Sequence, residues 1–270
     1  MSSINTNVSA LYSQNALKSN ARSMNTAMEQ LSTGTRINSA KDDAAGLAIS
    51  QNMTSVIRGL NMAVRNLNDG VNMIQAADGA MIEQTNMLQR MRELAVQASN
   101  GTNSPAQTTY LNVEFQALVT QIGSISSQTT WNGMNLLNAT STFSYQSGAT
   151  SGQTISVVVT SMGTGSLGIS TASISSATAA VASIATLDTA MNSINSQRAT
   201  LGASINQMAY AADNLTNVSA NTTASRSAIM DTDYALATTQ LAKNQIIQQA
   251  ATAMLAQANQ QPSAVMALLK

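Results

Sequence analysis

The sequence of 270 residues contains no cysteine and no histidine. Disulfides, thiol nucleophiles, catalytic triads that use Cys or His and metal sites with those ligands are therefore excluded. Carboxylates, lysine and hydroxyl groups remain, but acidic residues are adjacent only at Asp42 and Asp43. Neighbours in a helix point to different faces, so we interpret this pair as acidic residues in the first turn of a helix, where they offset the macrodipole. We predict no enzyme, no cofactor and no metal site.

Charged residues are also scarce. They make up 9% of the chain, against about 25% in an average soluble protein, and the 12 basic and 12 acidic side chains cancel. Nucleic-acid binding needs clustered Lys and Arg that this sequence lacks, whereas a net charge near zero favours contacts between copies. No apolar run approaches the roughly 20 residues of a membrane span, and the start of the chain lacks the regions of a cleavable leader. We predict neither nucleic-acid binding nor membrane insertion.

The clearest positive feature is a stripe of apolar or small residues whose spacing alternates between four and three from Val56 to Ala98. Two such residues in every seven keep one face of a helix against a partner helix. A helix over residues 44–99 would be roughly 80 Å long, which is typical of assemblies. We expect Gly70 to allow close helix approach, and Gln84 is the one polar interruption. The stripe comprises Val56, Leu60, Ala63, Leu67, Gly70, Ile74, Ala77, Met81, Leu88, Met91, Ala95 and Ala98.

Helices are predicted on both sides of this long one. A first helix ends in a loop over residues 32–35, and the long helix ends at a left-handed Asn100–Gly101 terminus. Ser104 caps the next helix and Pro105 opens it, and an Asn132–Gly133 turn ends it. The stripe of the first helix is Leu17, Ala21, Met24, Met28 and Leu31, and that of the third is Leu111, Phe115 or Leu118, Ile122 and Ile125.

The character of the sequence changes between residues 140 and 176, which are rich in Ser, Thr and Gly. Phe143 and Tyr145 alternate before a turn at residues 148–152, and Ile155, Val157 and Val159 alternate after it, so we predict a β-hairpin.

Helical spacing then returns after the hairpin. Arg198 lies on this helical stripe and must reach solvent or pair with an acid. A last helix follows Tyr234 and is limited by Pro262. The stripes are Ile184, Leu187, Met191, Ile194, Leu201, Ile205, Met208 and Leu215, and then Ile247, Ala251, Met254 and Ala258.

The predicted fold class is therefore mainly α, with long coiled-coil-like helices from both chain termini packed together and a small β-hairpin region in the middle. The two terminal segments bury little apolar area as a pair, so we expect them to become ordered by packing on neighbouring copies. The predicted polymerisation seam of this terminal domain is Leu17, Ala21, Met24, Met28, Leu31, Ile247, Ala251, Met254 and Ala258.

Both ends of the chain resemble bacterial flagellin. The matching stretches at the front are LSTGTRINSAKDDAAGLAI at residues 31–49 and QRMRELAVQ at residues 89–97. Those at the back are SRS at residues 225–227, DTDYA at 231–235, QQA at 248–250 and LAQANQ at 255–260. The resemblance covers about residues 1–140 and 180–270.

The resemblance implies an inner terminal helical domain of residues 1–43 and 228–270, and a helical rod domain of residues 44–140 and 178–227 that carries a β-hairpin region at 141–177. It also implies a short form without outer variable domains. Such a subunit would be exported unfolded by the flagellar type III apparatus and would polymerise outside the cell into a hollow helical filament for motility.

Several partners follow from the same resemblance. They are other copies of the chain, an export chaperone on residues 229–270, and the filament cap and hook-junction proteins. An animal Toll-like receptor is a further implied partner, and the corresponding surface is Gln89, Arg90, Glu93, Leu94 and Glu114. From spacing alone, Arg90 and Glu93 form a weak surface ion pair.

Two alternatives remain open on the sequence. A hook-filament junction protein shares flagellin-like ends, although the minimal middle and the 255–260 stretch favour the filament subunit. A membrane-active helical toxin or translocator would fit the charge-poor surface, but interfacial helices usually combine a basic face with a strongly apolar one.

Overall fold

A computed structural model describes the backbone of residues 6–268 and the side chains of residues 6–260. The helices are α1 (Val8–Thr33), α2 (Ala44–Ala98), α3 (Pro105–Gln128), α4 (Ala177–Met230) and α5 (Tyr234–Leu268). The strands are β1 (Thr130–Trp131), β2 (Met134–Asn135), β3 (Ser141–Gln146) and β4 (Thr154–Val159). The predicted fold class, with long helices from both termini packed together and a small central hairpin, is confirmed.

The chain divides into two compact units. One, the terminal unit, contains the chain up to Ser55 and from Asn221 onward. The other, the central unit, is Val56–Ala220. The finer division at residues 43, 140, 177 and 227 stays a prediction.

In the terminal unit, α1 packs against α5, and the two helices run in opposite directions. The side-chain amide of Asn7 donates to the carbonyl of Ala258 at 2.7 Å, and that of Asn20 donates to the carbonyl of Asn244 at 2.8 Å. Asn20 is only 8% exposed, so this bond satisfies an amide that would otherwise be costly to bury. The two amides fix the register of the helix pair at separate points.

The link between α1 and the end of α4 is a tight backbone contact. Gly34 ends α1 in the left-handed conformation, with φ of 71°, and its carbonyl accepts from Thr232 N at 3.0 Å. Thr35 and Asp231 form an antiparallel bridge, and Arg36 N donates to the carbonyl of Met230 at 2.6 Å. Backbone hydrogen bonds to residues 230–232 thus hold the predicted loop after the first helix in one conformation.

Asp42 and Asp43 lie just before α2, and the expectation that they occupy its first turn was wrong. The carboxylate of Asp43 accepts from Gly46 N at 2.8 Å and so caps the helix. The carboxylate of Asp42 instead accepts from the backbone and hydroxyl of Ser39 and from Asn38 N, and the Ser39 hydroxyl bond is the main reason that the pKa of Asp42 lies below its usual value. Asp43 therefore caps α2, and Asp42 closes the turn that precedes it.

The stripe of α2 is the spine of the central unit. Its predicted members from Leu60 to Ala98 are all buried, whereas Val56 is 39% exposed. Phe115 of α3 and Leu187 and Ile194 of α4 are fully buried in the same core. Where the sequence left Phe115 or Leu118 open, Phe115 takes the buried position and Leu118 packs at the edge.

Gln84 interrupts this core as expected, and the structure gives it a partner. Its amide nitrogen donates to the carbonyl of Met162 at 3.1 Å, although its Oε1 has no partner. One bond therefore joins α2 to the loop that follows β4.

The hairpin of β3 and β4 is confirmed with the predicted residues paired. Phe143 lies opposite Val157, and Tyr145 lies opposite Ile155. The face with Val157 and Val159 is buried in the core. Burial also raises the pKa of Tyr145 to about 12, and its hydroxyl donates to the sulfur of Met73 at 3.0 Å.

Gly70 lies under this hairpin, so the expected close approach of another helix was wrong. A Cβ atom at Gly70 would come within 2.9 Å of Cε1 of Tyr145. The missing side chain makes room for an aromatic ring from a strand.

Helix ends and turns follow the predicted residues with three corrections. Ser104 caps α3 as expected and forms a capping box with Gln107, and Pro105 is the first residue of the helix. Asn132 and Gly133, with φ of 49° and 78°, turn the small β1–β2 hairpin and not the end of α3 itself. Gly101 is not left-handed, and the side chain of Asn103 instead donates to the carbonyl of Gln97 at 2.6 Å.

The third correction concerns α5, which continues through Pro262 to Leu268. On α4, Arg198 was expected either to reach solvent or to pair with an acid, and it pairs. Its Nε lies 2.7 Å from Oδ1 of Asp78, and both side chains are about one-third exposed, at 33% and 31%.

Candidate assembly surface

The terminal unit has a very small apolar core. Within its described side chains, the buried apolar residues are Ala10, Ala27, Ile37 and Ala237. A buried methyl or methylene group contributes about 0.8 kcal/mol, whereas ordering one residue costs about 1–2 kcal/mol of backbone entropy. This core contributes little toward ordering helices of 26 and 35 residues. The central unit, in contrast, buries a continuous cluster from Leu67 to Met208.

The same unit leaves large apolar side chains in solvent. We call them the terminal apolar set, and their exposed fractions run from 40% for Ile247 to 73% for Tyr12. Large exposed apolar side chains that lie together in a patch mark interaction sites, so this set is the candidate assembly surface of the unit. The set comprises Val8, Leu11, Tyr12, Met28, Ile49, Tyr234, Leu236, Ile246, Ile247 and Met254.

The residues of the predicted polymerisation seam differ in their exposure to solvent. Leu17, Ala21, Met24 and Leu31 of α1, and Ala251 and Ala258 of α5, are half-buried. Met28 is 53% exposed, and Ile247 and Met254 are 40% and 63% exposed. The buried positions of α1 are instead Ala10, Asn20 and Ala27. Each apolar stripe is therefore wider than the face that the partner helix covers.

Sequence reasoning missed several members of the terminal apolar set. Leu11 and Tyr12 precede the predicted stripe of α1, and Leu236 and Ile246 fall outside that of α5. A single four-three stripe describes only the residues that continue one seam. The other members could have been recognised from a different signal. The terminal segments contain many large apolar side chains, and a single partner helix that presents mainly small residues cannot cover them all.

A second surface lies on the central unit, where Arg90 of α2 joins two acids. Its Nη1 lies 3.0 Å from Oε2 of Glu93, and its Nη2 lies 2.9 Å from Oε1 of Glu114 on α3. Hydrogen bonds to Glu93 and then Glu114 raise the pKa of Arg90. All three side chains are about half exposed or more, so these ion pairs contribute little to the stability of the fold. Their main effect is to hold the three side chains in place relative to one another.

The other predicted residues of this surface occupy different depths. Gln89 is exposed beside Arg90, whereas Leu94 is only 1% exposed and supports the surface from below. The sequence did not predict the neighbouring ion pair between Arg92 and Asp188 of α4, at 2.8 Å. A groove on this side is lined by Gln89, Arg92, Glu93, Val96, Gln97 and Met191.

The described residues hold neither a cluster of metal ligands nor a membrane-spanning helix. Within them, no three Asp or Glu side chains come together as metal ligands. None of the helices over residues 6–268 has the length and apolar character needed to cross a bilayer.

Long helices, paired chain ends and uncovered apolar residues in the terminal unit are typical of a helical structural protein. Models of the bacterial flagellin N-terminal and C-terminal helical regions match residues 4–142 and 184–269. The chain belongs to the bacterial flagellin family. It is a structural subunit of the extracellular bacterial flagellar filament, which serves motility.

Relatives match over nearly the whole chain. The flagellin of Halalkalibacterium halodurans is 43% identical over 270 residues, which cover 99% of each chain. The flagellin of Bacillus subtilis is 41% identical over 302 residues, with the same coverage of both chains. Among solved structures, Bacillus cereus flagellin is similar with a TM-score of 0.52 and 31% identity, over 56% of this chain and 88% of that one. The flagellin of Halalkalibacterium halodurans is therefore similar to this chain in length as well as in sequence.

Proposed function

We propose that this chain polymerises through the terminal apolar set, which neighbouring copies cover in the filament. The observation that carries the proposal is the contrast within one unit, which buries four apolar side chains among its described residues and leaves ten large ones in solvent. Helices gain most of their stability from packing an apolar face, so the missing contacts must come from outside the monomer. The predicted seam residues Met28, Ile247 and Met254 belong to this set.

An assembly test can use one exposed residue of α5. Ile246 is 67% exposed, so Ile246→Gln should leave the unfolding of the monomer almost unchanged. If neighbours cover this side chain, the loss of about 1.5 kcal/mol or more of apolar burial should raise the critical concentration for seeded polymerisation at least about tenfold. Sedimentation of polymer after seeding measures this concentration.

The matched control is Thr252→Gln, an exposed polar-to-polar change on the same helix. We expect its critical concentration to stay within about twofold of the unaltered chain, because surface changes away from contacts cost little. Equal critical concentrations for Ile246→Gln and Thr252→Gln would contradict a role for Ile246 in assembly.

A second proposal is that an animal Toll-like receptor binds the surface of Gln89, Arg90, Glu93 and Glu114, with Leu94 as its support. What favours it is that Arg90 presents a fixed, half-exposed guanidinium between acids of two helices. Buried charge-assisted bonds at an interface centre are commonly among its strongest contacts.

The monomer of Arg90→Ala should lose at least about tenfold in potency in receptor-reporter cells, equivalent to roughly 1.4 kcal/mol of binding. Glu83→Gln, at an exposed position on the same helix, serves as the control and should keep its potency. Unchanged potency of Arg90→Ala would rule out this contact.

The remaining partners stay predictions. The exposed apolar residues of α5 favour an export chaperone on residues 229–270, because such a face needs cover before export; residues 261–270 of that segment lie outside the described side chains. Filament cap and hook-junction proteins, and the absence of any catalytic activity, are proposed on the same family grounds.

A further inference from the structure

The sulfur chemistry of this chain is confined to methionine, because the sequence has 16 methionines and no cysteine. Among the methionines whose side chains the structure describes, four are exposed, five are intermediate and five are almost fully buried. Met28, Met62, Met134 and Met254 are 53%, 49%, 47% and 63% exposed. The fully buried group, at 3% exposure or less, comprises Met73, Met81, Met91, Met162 and Met208. A dissolved oxidant can therefore reach a small subset first.

The four exposed methionines fall into two pairs. Met62 and Met134 belong to the central unit, and Nη2 of Arg65 lies 2.8 Å from the sulfur of Met62 and donates to it. Met28 and Met254 belong to the terminal unit and to the terminal apolar set. Both residues thus belong to the surface through which the chain is proposed to assemble.

We propose that Met28 and Met254 are two separate oxidation sites, one on each terminal helix, through which peroxide blocks assembly of the subunit. The inference rests on the proposed function, since it assumes that neighbouring copies cover the terminal apolar set. It adds a chemical regulation of that surface. The chemical class of the reactant is a hydroperoxide, and hydrogen peroxide is the probe.

The chemistry is a two-electron oxygen transfer. A lone pair of the methionine sulfur attacks one peroxide oxygen, the O–O bond breaks, and an S–O bond forms. The second oxygen leaves as water after proton transfer, so the sulfur is oxidised to the sulfoxide and the peroxide is reduced. The product replaces a flexible apolar side chain with a polar one.

The consequence for assembly follows from burial. A sulfoxide oxygen in solvent is hydrated, but one covered by an apolar neighbour loses that hydration without a compensating hydrogen bond. The monomer therefore tolerates the change at these exposed positions, whereas the packed surface does not. Because the cost appears only on association, oxidation should raise the critical concentration without unfolding the central unit.

The test treats unassembled full-length protein with dilute hydrogen peroxide, removes the oxidant and measures the critical concentration before and after. Peptide mass spectrometry should find sulfoxide at Met28 and Met254 well before the buried group. We expect the critical concentration of the unaltered chain to rise at least tenfold. In the Met28→Leu/Met254→Leu variant, the ratio of the two concentrations should stay below about two.

The matched control is Met62→Leu/Met134→Leu, which removes the other exposed pair. Its concentration ratio should equal that of the unaltered chain. An equal peroxide effect in Met28→Leu/Met254→Leu, or no effect on the unaltered chain once both sulfoxides have formed, would overturn the inference. Failure of untreated, seeded protein to polymerise would instead reject the proposed function, so the two failures are distinguishable.

Discussion

Deletion of residues 1–33, which removes α1, should abolish seeded polymerisation, and deletion of residues 234–270, which removes α5, should do the same. The two helices pack on each other, so either deletion leaves the remaining one without its partner. Each deletion also removes members of the terminal apolar set. The deletion of α1 removes Leu11 and Met28, among others, and the deletion of α5 removes Ile246 and Met254, among others.

The central unit should survive both deletions. Its buried cluster runs from Leu67 to Met208 and lies wholly within Val56–Ala220. Urea unfolding followed by the fluorescence of Trp131, the chain's one tryptophan, reports on that unit. A retained cooperative transition with no sedimenting polymer is the expected pair of results.

The full-length chain, seeded under the same conditions, is the positive control. Polymer formed by either deleted chain would show that the terminal helices are dispensable, and the proposed assembly surface would be wrong. Loss of the central transition would mean that the terminal segments stabilise the central core, which the distribution of buried residues does not predict.

The second large effect is expected from Gly70→Leu. A Cβ at this position would lie 2.9 Å from Cε1 and 3.0 Å from Cδ1 of Tyr145, and the rest of the leucine would need further room. Inserting side-chain atoms into a packed core typically costs about 1–3 kcal/mol. The ring cannot easily withdraw, because the Tyr145 hydroxyl is bonded to the buried Met73.

Gly79→Leu is the matched control on the same helix, since a Cβ there meets nothing within 4 Å. Both variants gain helix propensity, by up to about 1 kcal/mol relative to glycine. The difference between their free energies of unfolding, measured with urea, therefore isolates the packing cost and should be about 1–3 kcal/mol. Equal stability of the two variants would show that the hairpin adjusts freely.

The elements with strong periodicity could be predicted from the sequence. The stripe of α2 repeats over many turns, so its buried face followed directly, and the helix bounds agreed to within one residue, with Ala98 in place of residue 99. Phe143, Tyr145, Ile155 and Val157 alternate around a glycine-containing turn, and their pairing followed in the same way. Repetition makes such assignments robust, because each repeat constrains the same face.

Single residues that commonly end helices predicted the helix ends less well. Pro262 was expected to limit α5, yet the helix continues beyond it, and Gly101 was expected to be left-handed but is not. A single residue changes the cost of a conformation by a modest amount, which neighbouring contacts can outweigh. At the end of α2, the amide of Asn103 supplies the bond that a left-handed glycine would have provided.

The candidate assembly surface was only partly predictable. The sequence placed apolar stripes on both terminal helices, but it did not say which residues of each stripe the partner helix covers. Met28 and Met254 were assigned to a seam and lie in solvent, while Asn20 was not assigned and is buried. A helix turns by about 100° per residue, so a small rotation about its axis exchanges the covered and uncovered edges of a broad stripe.

The amino-acid sequence by itself determined the mainly helical class, the long seam of α2, the central hairpin and the exclusion of Cys and His chemistry, because these depend on composition and on spacing within one segment. Only the tertiary structure decided that Tyr145 fills the space over Gly70, that Asn20 spans the α1–α5 pair and that ten large apolar side chains of the terminal unit stay in solvent. The physical reason is that burial depends on how segments far apart in the chain rotate and pack against one another, and neither rotation nor partner is encoded in the spacing of any one of them.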